Sequence, residues 1–273
     1  VNNVFGILEY NRVTTGLLVD YGVNLADPKT YNGSILHDST LIENAVFSNL
    51  YLTLFTSRFN NSISMRHPSI HDSLFDVVRQ AEVITLSGLL FRYNAIDPNA
   101  NTNGTLDVVN GQLKDKYING VWQNPYQQFT SLAIAPSINY YELSYGAVRL
   151  PSDLWLSNMG GEVNSIEFDA GDGQGYRTLQ MDTNVPFNYA DTGWKHWVFR
   201  VNLTVGQQLY THTKVHITNT SDMAGSGANN VLQRGTTLAK ATVIATKAYN
   251  GIFGSARLLI SYRNDNDRYI RKP

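Results

Sequence analysis

Residues 168–176 read FDAGDGQGY and place three glycines and two aspartates between apolar residues. A dinucleotide-binding loop requires G-x-G-x-x-G followed by a helix. Here the spacing is G-x-G-x-G, the following YRTLQM has no helical pattern, and the Gly-Lys-Ser/Thr of a Walker loop is absent. We therefore interpret the stretch as a tight turn, in which Asp side chains cap the backbone and Gly supplies positive φ.

Asp169 and Asp172 keep a second interpretation of this stretch open. Closely spaced carboxylates beside glycine carbonyls are hard oxygen ligands of the kind that Ca²⁺ prefers. An EF-hand loop requires a run of alternating ligands closed by a Glu, and this stretch has only two carboxylates. We name Asp169 and Asp172 as candidate calcium ligands, with the glycine-rich turn as the alternative.

The chain on either side of this turn has the rhythm of a β-sandwich. From Leu132 onward, short apolar segments alternate with Gly, Pro, Asn and Asp at intervals of roughly 8–12 residues. Branched and aromatic residues also predict a strand over 83–96, and a short one over Leu106–Val109 inside a turn-rich excursion at 97–131. The predicted strands from Leu132 to the end of this rhythm are LAIAP, INYYEL, GAVRLP, SIEF, YRTLQM, WKHWVFRVNL and LYTHTKVHI.

Two helices are predicted before the first strand. Thr40 and Glu43 have the spacing of a capping box, and the apolar face that follows predicts a helix over 40–58. Asp72-Ser73 precedes a second apolar face, which predicts a helix over 73–82. After the sandwich, residues 219–230 read as a linker or long loop, and two further strands joined by a Gly-containing turn follow.

Composition excludes several functions. The formal net charge is −1, so no charge excess favours nucleic acid. The chain has no cysteine, and therefore no disulfide, thiolate metal site or cysteine nucleophile. No apolar run approaches eighteen residues, so we expect no transmembrane segment. Charged residues make up only 16 %, and the uncharged polar surface that results is common in extracellular β proteins.

The stretch from Ser165 to Ile217 resembles the PKD (polycystic kidney disease) domain. The resemblance rests on a strand and D-x-G-D-G-like turn at Phe168–Gly173, on Tyr189–Gly193, and on the alternating strand Trp194–Leu203. Phe168 replaces the usual tryptophan, and Gln174-Gly175 lengthens the turn. The resemblance implies an immunoglobulin-like sandwich that serves as a non-catalytic extracellular spacer or contacts proteins and glycans.

A second resemblance covers more of the chain. Taken together, its segments look like the N-terminal region of large secreted Bacteroidota proteins. Similar proteins can continue into an α/β-hydrolase-like segment and often end in a type IX secretion sorting domain, which would place downstream domains of the same polypeptide beyond Pro273. The segments that carry the resemblance are NRVTTGLLVDYGVN, YNGS, LPSDLWLSN, AYNGIFGSARLLISY and the final RKP.

The fold class that follows is mainly β with an α+β N-terminal region and an immunoglobulin/PKD-like β-sandwich in the second half. The expected domains are an α+β region with two helices at 1–136, the PKD-like sandwich at 137–218, and a linker with a terminal strand pair at 219–273.

No catalytic residue is predicted. The G-x-S-x-G elbow of an α/β-hydrolase is absent. His67 and His71 have helical spacing for a metal pair, but Pro68 between them argues against a helix there. His212 and His216 would share one strand face, which could hold a metal or be a polar outward face. Cofactors are therefore not expected, apart from the calcium hypothesis.

Aromatic and hydroxyl residues supply the remaining candidate sites. Trp122 and Tyr126 lie in the turn-rich excursion and are candidates for exposed ligand-binding aromatics, with local loop packing as the alternative. Ser39 and Ser73 follow aspartates in D-S/T-x triplets, which match the Bacteroidota O-glycosylation pattern and also match helix caps.

The expected function is a non-catalytic binding or spacer module of a larger secreted or cell-surface protein, with a glycan or protein partner. Two alternatives stay open. One is the accessory N-terminal part of a hydrolase whose catalytic residues lie beyond Pro273. The other is a self-assembling β structural protein.

Overall fold

The computed structural model describes residues 2–26, 31–59, 63–78, 83–137, 139–141, 145–218, 237–244 and 255–262. This part of the chain is mainly β, as the sequence predicts. Its α-helices are α1 (Asn2–Phe5), α2 (Asn44–Thr56) and α3 (Pro68–Val78). Its strands are β1 (Val83–Ile96), β2 (Leu106–Val109), β3 (Gln112–Ile118), β4 (Val121–Gln123), β5 (Tyr126–Pro136), β6 (Tyr140–Tyr141), β7 (Tyr145–Arg149), β8 (Trp155–Ser157), β9 (Val163–Asp169), β10 (Arg177–Thr178), β11 (Asn184–Asn188), β12 (Gly193–Leu203), β13 (Gln208–Ile217), β14 (Thr237–Ile244) and β15 (Ser255–Tyr262).

Helix α2 begins later than the predicted helix at 40–58. Asp38–Thr40 instead forms a separate 3-10 helix, and Glu43 occupies the N-cap of α2 without a side-chain capping bond. The Thr40 hydroxyl lies 2.7 Å from His212 Nε2 on β13, so it is not available to α2. The capping box predicted from Thr40 and Glu43 is therefore wrong, because a tertiary contact replaces it.

Helix α3 begins at Pro68, so the argument that Pro68 opposes a helix is also wrong. The first helical position does not need a backbone N–H donor, and the fixed φ of proline suits it. His71 lies on the buried side of this helix. The predicted helix at 73–82 overlaps the second half of α3, and its residues 79–82 lie outside the described residues.

The first sheet has the order β11–β7–β1–β5, and β8 also pairs with β1. Strand β1 is antiparallel to β5 and parallel to both β7 and β8. Leu86 and Leu90 of β1 enter the core between the two sheets, whereas Leu89 and Phe91 pack against α2. Burial on both faces explains why this strand reads as an almost continuous apolar run.

The second sheet has the order β10–β9–β12–β13–β6. Its inner face contributes Phe168, Trp197 and Phe199 to a core that also contains Leu86 and Ile134 from the first sheet. Aromatic contacts organise this core, with the Phe168 ring edge-on to Trp197 and stacked on Phe199. The two sheets thus form a sandwich whose pairing and core run across the expected boundary between residues 136 and 137.

Strands β2, β3 and β4 form a separate meander with two tight turns. Asn110-Gly111 and Asn119-Gly120 connect the strands, and all four residues have positive φ between 51° and 81°. Both hairpins therefore have the type I′ geometry that Asn-Gly favours. The turn-rich excursion at 97–131 is consequently a small sheet followed by the start of β5.

The terminal strand pair is confirmed, since β14 and β15 pair antiparallel from Thr237↔Tyr262 to Ile244↔Ser255. The linker predicted at 219–230 and the turn between these two strands lie outside the described residues. Among the helices that the structure describes, none is both long and apolar enough to cross a membrane.

Candidate functional site

The stretch FDAGDGQGY forms a turn after β9. Gly171, Gly173 and Gly175 all have positive φ, between 67° and 82°. Asp169 Oδ1 accepts a hydrogen bond from the Gly171 backbone N–H at 2.8 Å, and Asp172 Oδ1 accepts one from Gln174 at 3.2 Å. The turn interpretation is confirmed, because the aspartates cap their own backbone and glycine occupies each left-handed position.

Asp172 has a charged partner in this turn. Arg177 Nη2 lies 3.1 Å from Asp172 Oδ2, and the carboxylate side chain is fully buried. In the part of the chain that the structure describes, no group of three or more His, Cys, Asp or Glu side chains could hold a metal. Calcium binding at Asp169 and Asp172 stays a prediction, but Arg177 would compete with the ion for the Asp172 carboxylate.

The two predicted binding aromatics, Trp122 and Tyr126, are largely packed. Tyr126 is only 8 % exposed in a small core with Val13 and Leu18, and burial raises the pKa of its phenol. Trp122 donates from Nε1 to Asp115 at 2.7 Å, and the Arg12 guanidinium lies 4.8 Å from its ring centre. The expectation that Tyr126 is exposed is therefore wrong, because this excursion folds back onto the N-terminal segment.

Ser39 and Ser73 are both exposed, so both hydroxyls are accessible to modification. Neither acts as a helix cap. Ser39 lies inside the 3-10 helix Asp38–Thr40, and Ser73 lies in the interior of α3, where its hydroxyl donates to the Ser69 carbonyl at 2.9 Å. The capping alternative is wrong at both positions, and O-glycosylation stays a prediction.

A serine–histidine contact joins α3 to β1, but its environment is structural. His71 Nε2 lies 2.7 Å from Ser87 Oγ, and the two residues are 4 % and 1 % exposed. The Ser87 hydroxyl also lies 3.3 Å from the Leu154 carbonyl oxygen, to which it can donate. A serine buried to this extent is not accessible to a substrate as a nucleophile.

The outer face of the second sheet carries aromatic and polar side chains. We call it the tyrosine face and define it by Tyr31, Tyr176, Tyr210, Glu167 and Arg200. The Arg200 guanidinium lies 4.1 Å from the Tyr176 ring centre, and its Nε donates to Glu167 at 2.6 Å. This hydrogen bond lowers the pKa of Glu167 and raises that of Arg200. Both charges are therefore held in place and mutually neutralised.

Neighbouring side chains extend this face as a hydrogen-bonded ladder. Asn202 Nδ2 donates to Glu167 at 2.8 Å, Gln208 Nε2 donates to Asn202 at 2.9 Å, and the Tyr210 hydroxyl donates to Gln208 at 2.7 Å. The Tyr31 ring stands edge-on to Tyr210, with 6.3 Å between their centres. The rings consequently have fixed orientations, which is the condition for an aromatic binding surface of low entropic cost.

Residues 31–42 cross the end of this face as a strap over β13. Tyr31 forms a bridge with Tyr210, and Ile42 N–H donates to the His212 carbonyl at 2.9 Å. The strap leaves His212 only 1 % exposed, and this burial lowers the pKa of its imidazole to about 4. His212 lies on the outward side of the sheet, as the alternative of a polar outward face predicted, but the strap covers it there.

The strap itself lines a shallow depression of about 300 Å³. Tyr31, which belongs to the tyrosine face, is one of its walls, so the depression adjoins that face. Its lining residues are Tyr31, Asn32, Ile35, His37 and Thr40.

Sequence reasoning did not find the tyrosine face. Alternation in β12 and β13 does mark Arg200 and Tyr210 as outward positions, which is the signal available. Tyr31 has no such signal, because it reaches the face through the strap. Comparison with known protein families and with curated proteins finds no match for this chain.

Proposed function

We propose that this chain is a non-catalytic binding and spacer module of a larger secreted or cell-surface protein, and that it binds through the tyrosine face. The observation that carries this proposal is the arrangement of Tyr176, Tyr210 and Tyr31 beside a neutralised Arg200–Glu167 pair. Partly exposed tyrosines offer an apolar ring and a polar hydroxyl together, which suits them to binding surfaces.

Two further features support a module without chemistry of its own. The serine–histidine contact between His71 and Ser87 is buried between α3 and β1, and the exposed contact between His67 and Ser69 joins residues only two positions apart in the chain. The sequence of the turn and of the alternating strand β12 resembles the PKD domain, and modules of that kind are extracellular. We include secretion by a Bacteroidota-type route, and continuation into downstream domains, in the proposal.

The test is retention on surface material. We would measure retention of the purified chain on insoluble cell-envelope fractions, for wild type and for the double variant Tyr176→Ala/Tyr210→Ala. Tyr145→Ala is the matched control, because Tyr145 is 65 % exposed on β7 of the other sheet. We expect the double variant alone to lose retention. Equal retention of all three proteins, or none for wild type, would overturn the proposal.

A further inference from the structure

The depression in the strap is lined by side chains of two kinds, apolar and polar. Tyr31 supplies an aromatic face that is fixed by the His212 ring, 4.6 Å away between centres, and by Tyr210. Ile35 supplies an apolar side chain that is 62 % exposed. An exposed isoleucine beside a fixed aromatic ring gives a ligand apolar contact area at one end of an otherwise polar face.

Polar groups complete the depression. Asn32 Oδ1 accepts hydrogen bonds from the Ser34 backbone at 3.0 Å and from the Ser34 hydroxyl at 2.7 Å, which orients the amide. Within the described residues, Asn32 Nδ2 and the His37 ring nitrogens make no hydrogen bond. The depression therefore presents an oriented NH₂ donor and an imidazole that can donate or accept.

The surrounding charges are already engaged. Lys214 Nζ lies 3.7 Å from Asp38 and 3.9 Å from Glu43, and Arg200 is bonded to Glu167. None of the residues that line the depression is Asp, Glu, Lys or Arg. The lining therefore offers no Lys or Arg side chain, which disfavours phosphates, sulfates and acidic sugars, since these require unpaired cations.

We infer that the depression binds one residue of a neutral oligosaccharide, whose next residues lie along the tyrosine face. A sugar ring has an apolar face of C–H groups, which matches Tyr31 and Ile35. It also has a rim of hydroxyls, which matches Asn32 and His37. The volume of about 300 Å³ lies at the lower limit of ligand pockets, as one ring requires. This inference rests on the proposed function, because it names the ligand class of the same surface.

The test is calorimetric titration of the full chain with four neutral tetrasaccharides: cellotetraose, xylotetraose, mannotetraose and chitotetraose. Tetragalacturonate is the acidic comparison. Asn32→Ala and His37→Ala remove exposed donors without touching a core, and each is expected to weaken binding about five-fold, as the loss of one hydrogen bond does. Tyr31→Ala should weaken binding more, while Tyr145→Ala should bind like wild type.

The outcomes separate the inference from the proposed function. Binding of a neutral tetrasaccharide that weakens in Asn32→Ala and His37→Ala supports the inference. Binding only of tetragalacturonate, or binding unchanged in both variants, overturns it. Retention on cell-envelope material without binding of any tetrasaccharide overturns the inference and leaves the proposed function standing. If the wild-type chain shows neither retention on cell-envelope material nor binding of a tetrasaccharide, both the inference and the proposed function are overturned.

Discussion

The two sheets of the sandwich differ in what covers their outer faces. The first sheet places Leu89 and Phe91 of β1 under helix α2, so that both faces of this central strand are covered. The second sheet leaves Arg200 and Tyr176 toward solvent and is crossed only at one end by the strap. The centre of the first sheet is thus buried on both sides, whereas the second sheet has an outer face that is open to solvent over most of its length.

This difference separates stability from recognition. A face covered by a helix contributes buried apolar area to stability and tolerates few substitutions. An open face of paired polar groups contributes little to stability, so its residues can be substituted with little effect on folding. We therefore expect substitutions on the first sheet to lower the free energy of unfolding, and substitutions on the tyrosine face to change binding.

The largest effect should come from Phe91→Ala. Phe91 is fully buried under α2, and removing such a ring costs about 3–5 kcal/mol. Val198→Ala, on the half-buried outer side of β12, should cost about 1 kcal/mol or less. Urea unfolding of both variants measures the difference. Similar losses of unfolding free energy in the two variants would mean that the two outer faces contribute equally to stability, which would contradict this comparison.

His212 should make the strapped end of the second sheet sensitive to acid. Its folded pKa of about 4 lies below the unfolded value of about 6.5, so the folded state binds fewer protons. Its contribution to the free energy of unfolding is complete above pH 6.5. This contribution, up to about 3 kcal/mol, is lost as the pH falls toward 4. His37 and His196 add to this dependence, and Asp38 opposes it.

The measurement is the free energy of unfolding at pH 7, 5.5 and 4 for wild type and His212→Asn. The variant should lose less stability than wild type between pH 7 and pH 4, because it lacks the buried imidazole. Parallel curves for the two proteins would contradict a buried neutral His212.

A smaller effect is expected from a substitution at Gly88 of β1. A Cβ at Gly88 would lie 2.4 Å from Trp155 Cε3, so Gly88→Ala should cost about 1–3 kcal/mol. Gly161→Ala is the control, because nothing lies within 4 Å of its Cβ position. Trp155→Leu should cost less in the Gly88→Ala background than in wild type, and additive costs in a double-mutant cycle would count against the clash.

The smallest effect should come from Glu167→Gln on the tyrosine face. The Arg200–Glu167 pair is partly exposed, so its loss should cost about 0.5–1 kcal/mol at pH 7. Because the folded pKa of Glu167 is lowered, this advantage is present above about pH 4.3 and disappears as the pH falls through the folded pKa. An unfolding difference that persists at pH 2.5 would show that the ion pair is not its source.

Local patterns predicted the local structure well. The strands expected at 83–96 and at Leu106–Val109 match β1 and β2, because runs of branched and aromatic residues between turn residues specify strands. The glycine-rich turn at Phe168–Tyr176 was also predictable, since positive φ leaves little alternative to Gly.

Long-range contacts were not predictable in the same way. Nothing in the run of β1 shows that it pairs with β7 and β8 and shares a core with Trp197. The capping box predicted at Thr40 does not form, because the Thr40 hydroxyl is hydrogen-bonded to His212, which is distant in sequence. The tyrosine face was missed for the same reason, since Tyr31 and Tyr210 meet only in the folded chain.

The two-sided burial of β1 has a consequence for the order in which the chain is synthesised. Helix α2 precedes β1 and β5 follows soon after, so one face of the strand can be covered early. Leu86 and Leu90 can be buried only after β9, β12 and β13 have been synthesised, and these strands leave the ribosome much later. A nascent chain that ends near residue 137 would therefore display an uncovered apolar strand, the kind of segment that aggregates unless it is shielded.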